Sequence, residues 1–367
     1  MDPAETGMRT WAEVDRRLYY GQASVATVPE ARSLVQQQGA EEVARQIDVL
    51  VTATFAPAAW AILLFRPALP FLPSTPERAW LGGIPLQRGF SPYDLVLDLG
   101  ATGNRGPLRG SAHVLDGWLA GERPILRVQT RARGRAGEVS WEGALALKDL
   151  EEAQLIVTIH SPSEGRLLVN SHAQSLPTHY GLLLPERGNA AHTWAGPAEP
   201  GVLDRTERIL RPGLPVLMAG GLGHIAWRRG ATIGLGVDAR EVRREYLRPL
   251  AIPGYGVGLA VGVAWPLPVL DAQVLAPLEC PEERLMLEVV DLGVPQKPPP
   301  QVSQVPYRVV EDGSIELGGQ SIPVTSLCSP TRAARLAGEL KSRLQRREFP
   351  PFLPAGSAPS WTGEVGR

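Results

Sequence analysis

Leu214-Pro215-Val216-Leu217-Met218-Ala219-Gly220-Gly221-Leu222-Gly223-His224-Ile225-Ala226-Trp227 is the stretch on which the fold class turns. Leu214–Ala219 is a short apolar run that reads as a strand. It passes directly into Gly220, Gly221 and Gly223. Glycines there let backbone N–H groups approach a ligand, as in an anion-binding nest, and they serve a tight turn equally well. The G-x-G-x-x-G spacing and a following acidic partner are both missing, so this is no dinucleotide loop. Outward from it, Asp94–Leu99 alternates polar and apolar residues and breaks at Gly100 and Gly103. Leu126–Arg135 alternates as well, and Leu155–Ile159 and Tyr180–Leu184 are further strands. Long helices are scarce between residues 50 and 280, so a regular βαβ repeat is not expected. The expected class is mixed α/β (α+β): a strand-rich core with glycine loops, N-terminal helices and a C-terminal hairpin–helix unit.

The ends carry the helices. Thr10-Trp11-Ala12-Glu13 has the form of a capping box, and Val14 and Leu18 begin an apolar stripe. Pro29 suits a first helical turn, Gly39 a stop, and Ala40–Gln46 a short further helix before the strand Asp48–Thr52. Pro295–Pro306 reads as a proline-rich connector. Tyr307–Val310 and Ser314–Leu317 are expected to pair as a hairpin about Asp312-Gly313. Ser329 and Pro330 then open a helix striped by Ala333, Leu336, Ala337, Leu340 and Leu344. The expected organisation is a main domain over 1–294, the connector over 295–306, a C-terminal unit over 307–354 docked on the main body, and a disordered tail over 355–367.

The 367 residues suffice for one large domain or two ordinary ones. A hydrophobic content of 44% with 20% charged residues fits a folded globular protein. A net charge of −1 argues against a nucleic-acid partner, which needs a basic face. Cys280 and Cys328, the only cysteines, make no disulfide framework, zinc site or iron–sulfur cluster. Met1–Trp11 has no apolar secretory segment, so the cytoplasm is the expected compartment. Val49–Phe65 and Pro249–Leu270 lack charge, and the second contains a G-x-x-x-G. Their prolines and glycines favour buried strands over membrane spans.

Among chemistry-bearing residues, Arg127, Arg131, Arg133 and Arg135 share one side of a strand. They could meet a carboxylate or phosphate, or form a solvated face. His113 follows Gly110-Ser111-Ala112 and His224 lies inside the glycine loop, each an acid/base candidate or a structural histidine. His172 and His179 match no metal spacing, and no metal or cofactor is expected. Cys328 precedes a helix N-terminus, where a thiol pKa is lowered, although a buried apolar role is the alternative. Pro253-Gly254-Tyr255-Gly256-Val257-Gly258 is a second glycine-rich stretch, readable as a bulged strand. No Walker loop is present.

Taken in order, several segments resemble the homocysteine-biosynthesis family, whose members put sulfur onto aspartate semialdehyde. They are Val51-Thr52-Ala53-Thr54-Phe55, Asp94–Thr102, Gly110-Ser111-Ala112-His113-Val114, Leu184-Pro185-Glu186-Arg187-Gly188-Asn189-Ala190, Ala219–Trp227, Tyr246-Leu247-Arg248, Pro253–Val257, Val289–Pro295 and the final helix. The resemblance spans roughly residues 9–354. It implies a ligand pocket containing Thr54, Asn189, Gly220, Gly221, Gly223, His224, Gly254, Tyr255 and Gly256, with Arg131 for a carboxylate and His113 as acid or base. In the family a cysteine follows the Thr-Gly-Thr-Phe run by four residues; here that position is Ala59, followed by Trp60. A second family cysteine aligns with Arg135, and the chain reads as carrying no ferredoxin-type or CBS module. Passing on sulfur needs a polarizable nucleophile, which alanine does not supply. Two functions are therefore expected in parallel. One is a sulfurtransferase-like enzyme of methionine biosynthesis that uses an external sulfide or persulfide, with Cys328 as a relocated thiol. The other is a non-catalytic member binding a small ligand or a protein. The implied partners are a carboxylate-bearing aldehyde, a sulfur-donor or ferredoxin-type protein, and a second copy of the chain.

Overall fold

The computed structural model describes residues 9–68, 76–102, 110–131 and 138–352. The expected tail over 355–367, and Arg133 and Arg135, lie outside the described residues. The chain begins with α1 (Trp11–Tyr19), β1 (Val25–Thr27), α2 (Val28–Gln38) and α3 (Ala40–Gln46). Thr10 caps α1 as its sequence requires: the Glu13 N–H donates to the Thr10 hydroxyl at 3.2 Å, and the Thr10 N–H donates to the Glu13 carboxylate at 2.7 Å. The same device recurs at α2, where the Thr27 N–H donates to Glu30 at 2.7 Å.

The strand-rich middle follows: β2 (Val49–Pro57), β3 (Trp60–Pro67), β4 (Arg78–Leu81), β5 (Ile84–Arg88), β6 (Leu95–Asp98), α4 (Ser111–Leu119), β7 (Ile125–Arg131), β8 (Glu138–Ala144) and β9 (Leu150–His160). Next come β10 (Arg166–Val169), β11 (Leu176–Thr178), β12 (Gly181–Leu183), β13 (Ala190–His192), α5 (Pro200–Leu203), β14 (Pro215–Met218), β15 (Gly221–Arg229), β16 (Thr232–Asp238), β17 (Leu247–Ile252) and β18 (Gly256–Pro268). The chain closes with β19 (Met286–Asp291), β20 (Gln301–Pro306), α6 (Arg308–Asp312), β21 (Ser314–Leu317), β22 (Gln320–Ser326) and α7 (Pro330–Gln345).

The mixed α/β class holds, with a sheet that is almost wholly antiparallel. Fourteen strands run in the order β1-β2-β18-β14-β15-β16-β9-β3-β6-β5-β4-β7-β8, with β17 also paired to β18. Only β1 and β2 pair in parallel within it, among the described residues. That pattern explains the lack of βαβ periodicity, because antiparallel neighbours need only short turns. A smaller six-stranded sheet runs β20-β19-β10-β13-β22-β21, and β11 and β12 form a separate hairpin. One face of the large sheet buries Leu50, Leu63, Leu97, Leu155 and Trp265. Helix α7 lays Leu336, Leu340 and Leu344 onto the other face over β2 and β18, where Leu336 lies against Gly262. Each such side chain contributes about 1.5–3 kcal/mol by leaving water.

The uncharged run Pro249–Leu270 folds as the end of β17 and the nearly fully buried β18. No helix among the described residues is long and apolar enough to cross a membrane. Two local expectations at the C-terminal end are corrected. Tyr307–Val310 does not form a strand; Arg308–Asp312 is the short helix α6, and Gly313 is its left-handed cap rather than a hairpin turn. The hairpin is β21–β22, where Leu317 pairs with Gln320 across Gly318-Gly319, both at positive φ. Part of the proline-rich stretch also pairs: β20 lies at the edge of the small sheet against β19.

Candidate functional site

The open edge of β2 builds the site. β1 covers β2 only at Val49, Leu50 and Val51, so Thr52–Ala56 has β18 on one side and no strand on the other. The first turns of α2 and α7 fill that gap. The Ser329 N–H donates to the Phe55 carbonyl at 3.0 Å, and the Ser329 hydroxyl caps α7 by accepting from the Arg332 N–H at 3.4 Å. Between these elements lies a cavity of about 640 Å³, lined by Thr54, Phe55, Arg32, His192, Tyr307 and Cys328 among others. Two helix N-termini border it, and the positive ends of their dipoles favour a negative or carbonyl oxygen.

The wall behind the cavity is formed by residues 192–199. The Thr52 hydroxyl donates to the Ala198 carbonyl. Glu199, fully buried, accepts from the Ala195 N–H at 3.0 Å and from the Ser161 hydroxyl, which itself accepts from the Gly201 N–H at 2.9 Å. No cation pairs with Glu199 among the described residues, and burial pushes its carboxyl up to about 7. His192 is buried in the same wall, its Nδ1 3.2 Å from the Trp194 carbonyl. A carbonyl only accepts, so Nδ1 carries the proton and Nε2 is the basic nitrogen. Burial holds the His192 pKa below the ordinary imidazole value, so the ring is neutral near pH 7. Trp194 packs edge-on against Tyr307 at 5.6 Å.

Cys328 carries a correction. Its place before a helix N-terminus predicts a lowered pKa, yet burial pushes its thiol up to about 12. The Sγ–H donates to the Thr193 carbonyl at 3.2 Å, and the nearby Glu199 charge raises the pKa further. Desolvation of the thiolate outweighs the helix dipole, whose effect falls off within one turn. Cys280 does not line the cavity, although its carbonyl accepts from Arg32 at 3.1 Å. Arg32 also pairs with Glu282, so its charge is already neutralised. The cavity thus offers a neutral imidazole and a protonated thiol, and the Glu199 carboxyl lies buried behind its lining.

Residues 23–350 match a family described as homocysteine biosynthesis enzyme, sulfur-incorporation. The chain belongs to that family. It is 27% identical over 346 residues to an L-aspartate semialdehyde sulfurtransferase of Methanosarcina acetivorans, covering 92% of this chain and 69% of the relative. A second protein of the same name, from Methanocaldococcus jannaschii, is 22% identical over 358 residues, covering 92% and 70%. No solved structure matches.

Within this homocysteine-biosynthesis chain, Thr54 and Cys328 meet in the cavity and the other expected site residues lie elsewhere. Ala59 is exposed at the turn from β2 to β3, where its N–H donates to Thr158 at 2.8 Å. Beside it run the Leu99–Ala101 turn, which bonds Ala61, and β18, which bonds Ala58. Ala59 lies three residues past Ala56, the last β2 residue to line the cavity, ~10 Å along the chain. The position of the absent family thiol is therefore outside the cavity lining, beyond the end of β2.

Ala219 and Gly220 form the two-residue turn of the β14–β15 hairpin, at φ 48° and 86°. A Cβ on Gly220 would meet the Arg243 guanidinium at 2.4 Å, and Gly221 and Gly223 are pressed against Val237 and the Gly236 carbonyl. His224 is exposed on β15, over Gly236. Asn189 is a structural brace: it accepts from the Leu184 N–H at 2.7 Å and donates to Leu182 and Thr325, both at 3.0 Å. Gly254 and Tyr255 form the β17–β18 loop, which Ile252 and Gly256 close by pairing, and Tyr255 is exposed. His113 lines a separate cavity with Arg123 and Glu142, its Nδ1 accepting from the Gly110 N–H at 3.3 Å. Arg127 pairs with Glu142 at 2.9 Å; Arg131 lies on β7, its side chain outside the described residues. Sequence reasoning missed Glu199, His192 and Ser161. A signal existed at Glu199, the lone acid between Arg187 and Asp204, set between Pro197 and Pro200.

Proposed function

We propose that the protein incorporates sulfur into a small carboxylate-bearing aldehyde, aspartate semialdehyde, with the sulfur supplied as free sulfide or by a donor protein rather than held on an internal thiol. The observation that carries this reading is the family's Thr52–Phe55 segment forming one wall of a cavity lined by a neutral histidine, with a carboxyl poised near neutrality buried behind that lining. The sulfide sulfur forms a C–S bond at the aldehyde carbon, and the carbonyl oxygen takes a proton and later leaves as water. Two electrons and two further protons complete the thiol, so that aldehyde plus hydrogen sulfide plus a reductant gives homocysteine plus water. The electrons come from an external carrier of the ferredoxin type. His192 Nε2 is suited to receive the proton of hydrogen sulfide, and Glu199 to hold a proton behind the wall. Cys328 at a pKa of about 12 is not the attacking group.

The test is purified protein with aspartate semialdehyde, sulfide and a chemical reductant, with homocysteine read by mass spectrometry after thiol labelling. Product that falls at least tenfold in His192→Ala supports the reading; no product under conditions where a cysteine-bearing relative works defeats it. A second reading is favoured by Ala59 together with the protonated Cys328: a member that binds the aldehyde or a protein partner without turnover. Ligand binding without product would select it.

A further inference from the structure

Arg248 on β17 and Arg332 in the first turn of α7 stand apart from the other partly buried arginines. Their guanidinium carbons lie 5.8 and 5.0 Å from the centre of the same ring, Phe55. Each is tied by one nitrogen to a backbone carbonyl, Arg248 to Leu327 and Arg332 to Leu247 at 3.1 Å. Neither has a carboxylate partner among the described residues. The nearby acids are already taken: Glu339 by Arg243 and Arg343, and Glu245 by Arg243 and Arg335. Arg248 Nε is buried with no hydrogen-bond partner. Three other arginines also have an orphaned buried Nε, namely Arg32, Arg187 and Arg243, but each has a carboxylate on another nitrogen. Burial first, and the like charge of Arg332 second, hold the Arg248 pKa below the ordinary guanidinium value. Two unbalanced cations sharing one aromatic ring are costly unless an anion completes the group.

We infer that Arg248 and Arg332 form a carboxylate-binding site at the N-terminus of α7, which takes the α-carboxylate of the amino-acid aldehyde. This rests on the proposed function for the identity of the ligand. The planar guanidinium fork matches a carboxylate with paired N–H donors. Arg332 is three residues past the cap Ser329, so the positive end of the α7 dipole adds to the same field. Phe55, Leu250, Leu327 and Ala333 supply an apolar floor suited to a short carbon chain. Phe55, Ser329 and Ala333 also line the cavity, so a ligand held here by its carboxylate has its other end within reach of that space. Arg127 and Arg131, the arginines that the sequence offers for this role, lie on a different strand, β7. Tyr246-Leu247-Arg248 was among the family-like segments, but nothing in the sequence set Arg248 beside Arg332.

The test is direct binding to the full chain, by calorimetry and by the shift in melting temperature. L-Homoserine, which keeps the carboxylate and replaces the aldehyde by a stable alcohol, is one probe. L-Homoserine lactone, in which the carboxylate is closed into an ester, is the other. Homoserine should bind and raise the melting temperature of the wild type, and the lactone should do neither. Arg248→Met and Arg332→Met should each weaken homoserine binding at least tenfold. Neither should melt below the wild type in the absence of ligand, because each relieves an unbalanced charge. Arg332→Lys, which keeps the charge and loses the fork, should bind with intermediate affinity. No carboxylate-dependent binding to the wild type, or undiminished homoserine binding in both Met variants, overturns the inference. Arginine-dependent binding without homocysteine formation would sink the proposed reaction and leave this site standing. Homocysteine formation unaffected in both variants would do the reverse.

Discussion

Replacing Glu199 by glutamine should abolish the pH dependence that this one side chain imposes on the fold. Glu199 is buried with no cation beside it among the described residues, and its carboxyl is pushed from 4.5 up to about 7. Between those values the folded chain keeps the proton while the unfolded chain has lost it. The folded state then binds more protons, so stability falls as pH rises through that window and is level above it. A shift of roughly two and a half units corresponds to about 3 kcal/mol, at ~1.4 kcal/mol per unit. Glutamine keeps the geometry: its amide oxygen can accept from the Ala195 N–H, and its amino group can donate to Ser161 Oγ. Other groups also titrate in this range, so the quantity to follow is the stability difference between variant and wild type. Urea unfolding at pH 5, 6, 7 and 8 should show Glu199→Gln gaining about 2–3 kcal/mol on the wild type across the series. A difference that stays constant with pH, or grows toward acid, would refute the claim that burial without a pairing cation governs this carboxyl.

Gly220→Ala should destabilise the β14–β15 hairpin by about 1–3 kcal/mol, from strain at positive φ and collision with Arg243, read as a lower urea midpoint. A neutral outcome would reopen the loop as a ligand nest. Cys328 should react with a disulfide reagent at pH 8 at least tenfold more slowly in the folded chain than after denaturation, because its thiol is raised to about 12. Ala59→Cys, at an exposed turn, should add one fast-reacting thiol to the same assay. Leu336→Ala, in the buried face of α7, should cost about 2–5 kcal/mol in denaturant unfolding, since the helix covers β2 and β18 through that stripe.

Much of the fold was legible because its determinants are local. The box at Thr10 and Glu13 satisfies N–H groups within one helical turn, so four consecutive residues specify it. The stripe on α7 and the buried strand β18 follow from periodicity and from the absence of charge. The C-terminal hairpin was misplaced because Asp312-Gly313 and Gly318-Gly319 are both turn signals. Which one turns a hairpin depended on α6 closing at Gly313 and on β22 finding β13. The site was less legible. Glycine motifs drew attention as ligand loops, yet Gly220 is required by a two-residue turn and by the side chain packed against it.

The amino-acid sequence alone determined the family, the mixed class, and the absence of a thiol at position 59, since each is a matter of residue identity and order. Tertiary structure alone decided which polar groups meet without partners. Glu199 titrates near neutrality because of what surrounds it, and Cys328 is protonated because the surrounding protein desolvates its sulfur, whose hydrogen bond goes to the Thr193 carbonyl. Arg248 and Arg332, 84 positions apart in the chain, face one phenylalanine because β17 pairs with β18 and α7 packs across it. Burial and charge balance are properties of neighbourhoods, and a chain acquires its neighbourhoods only on folding.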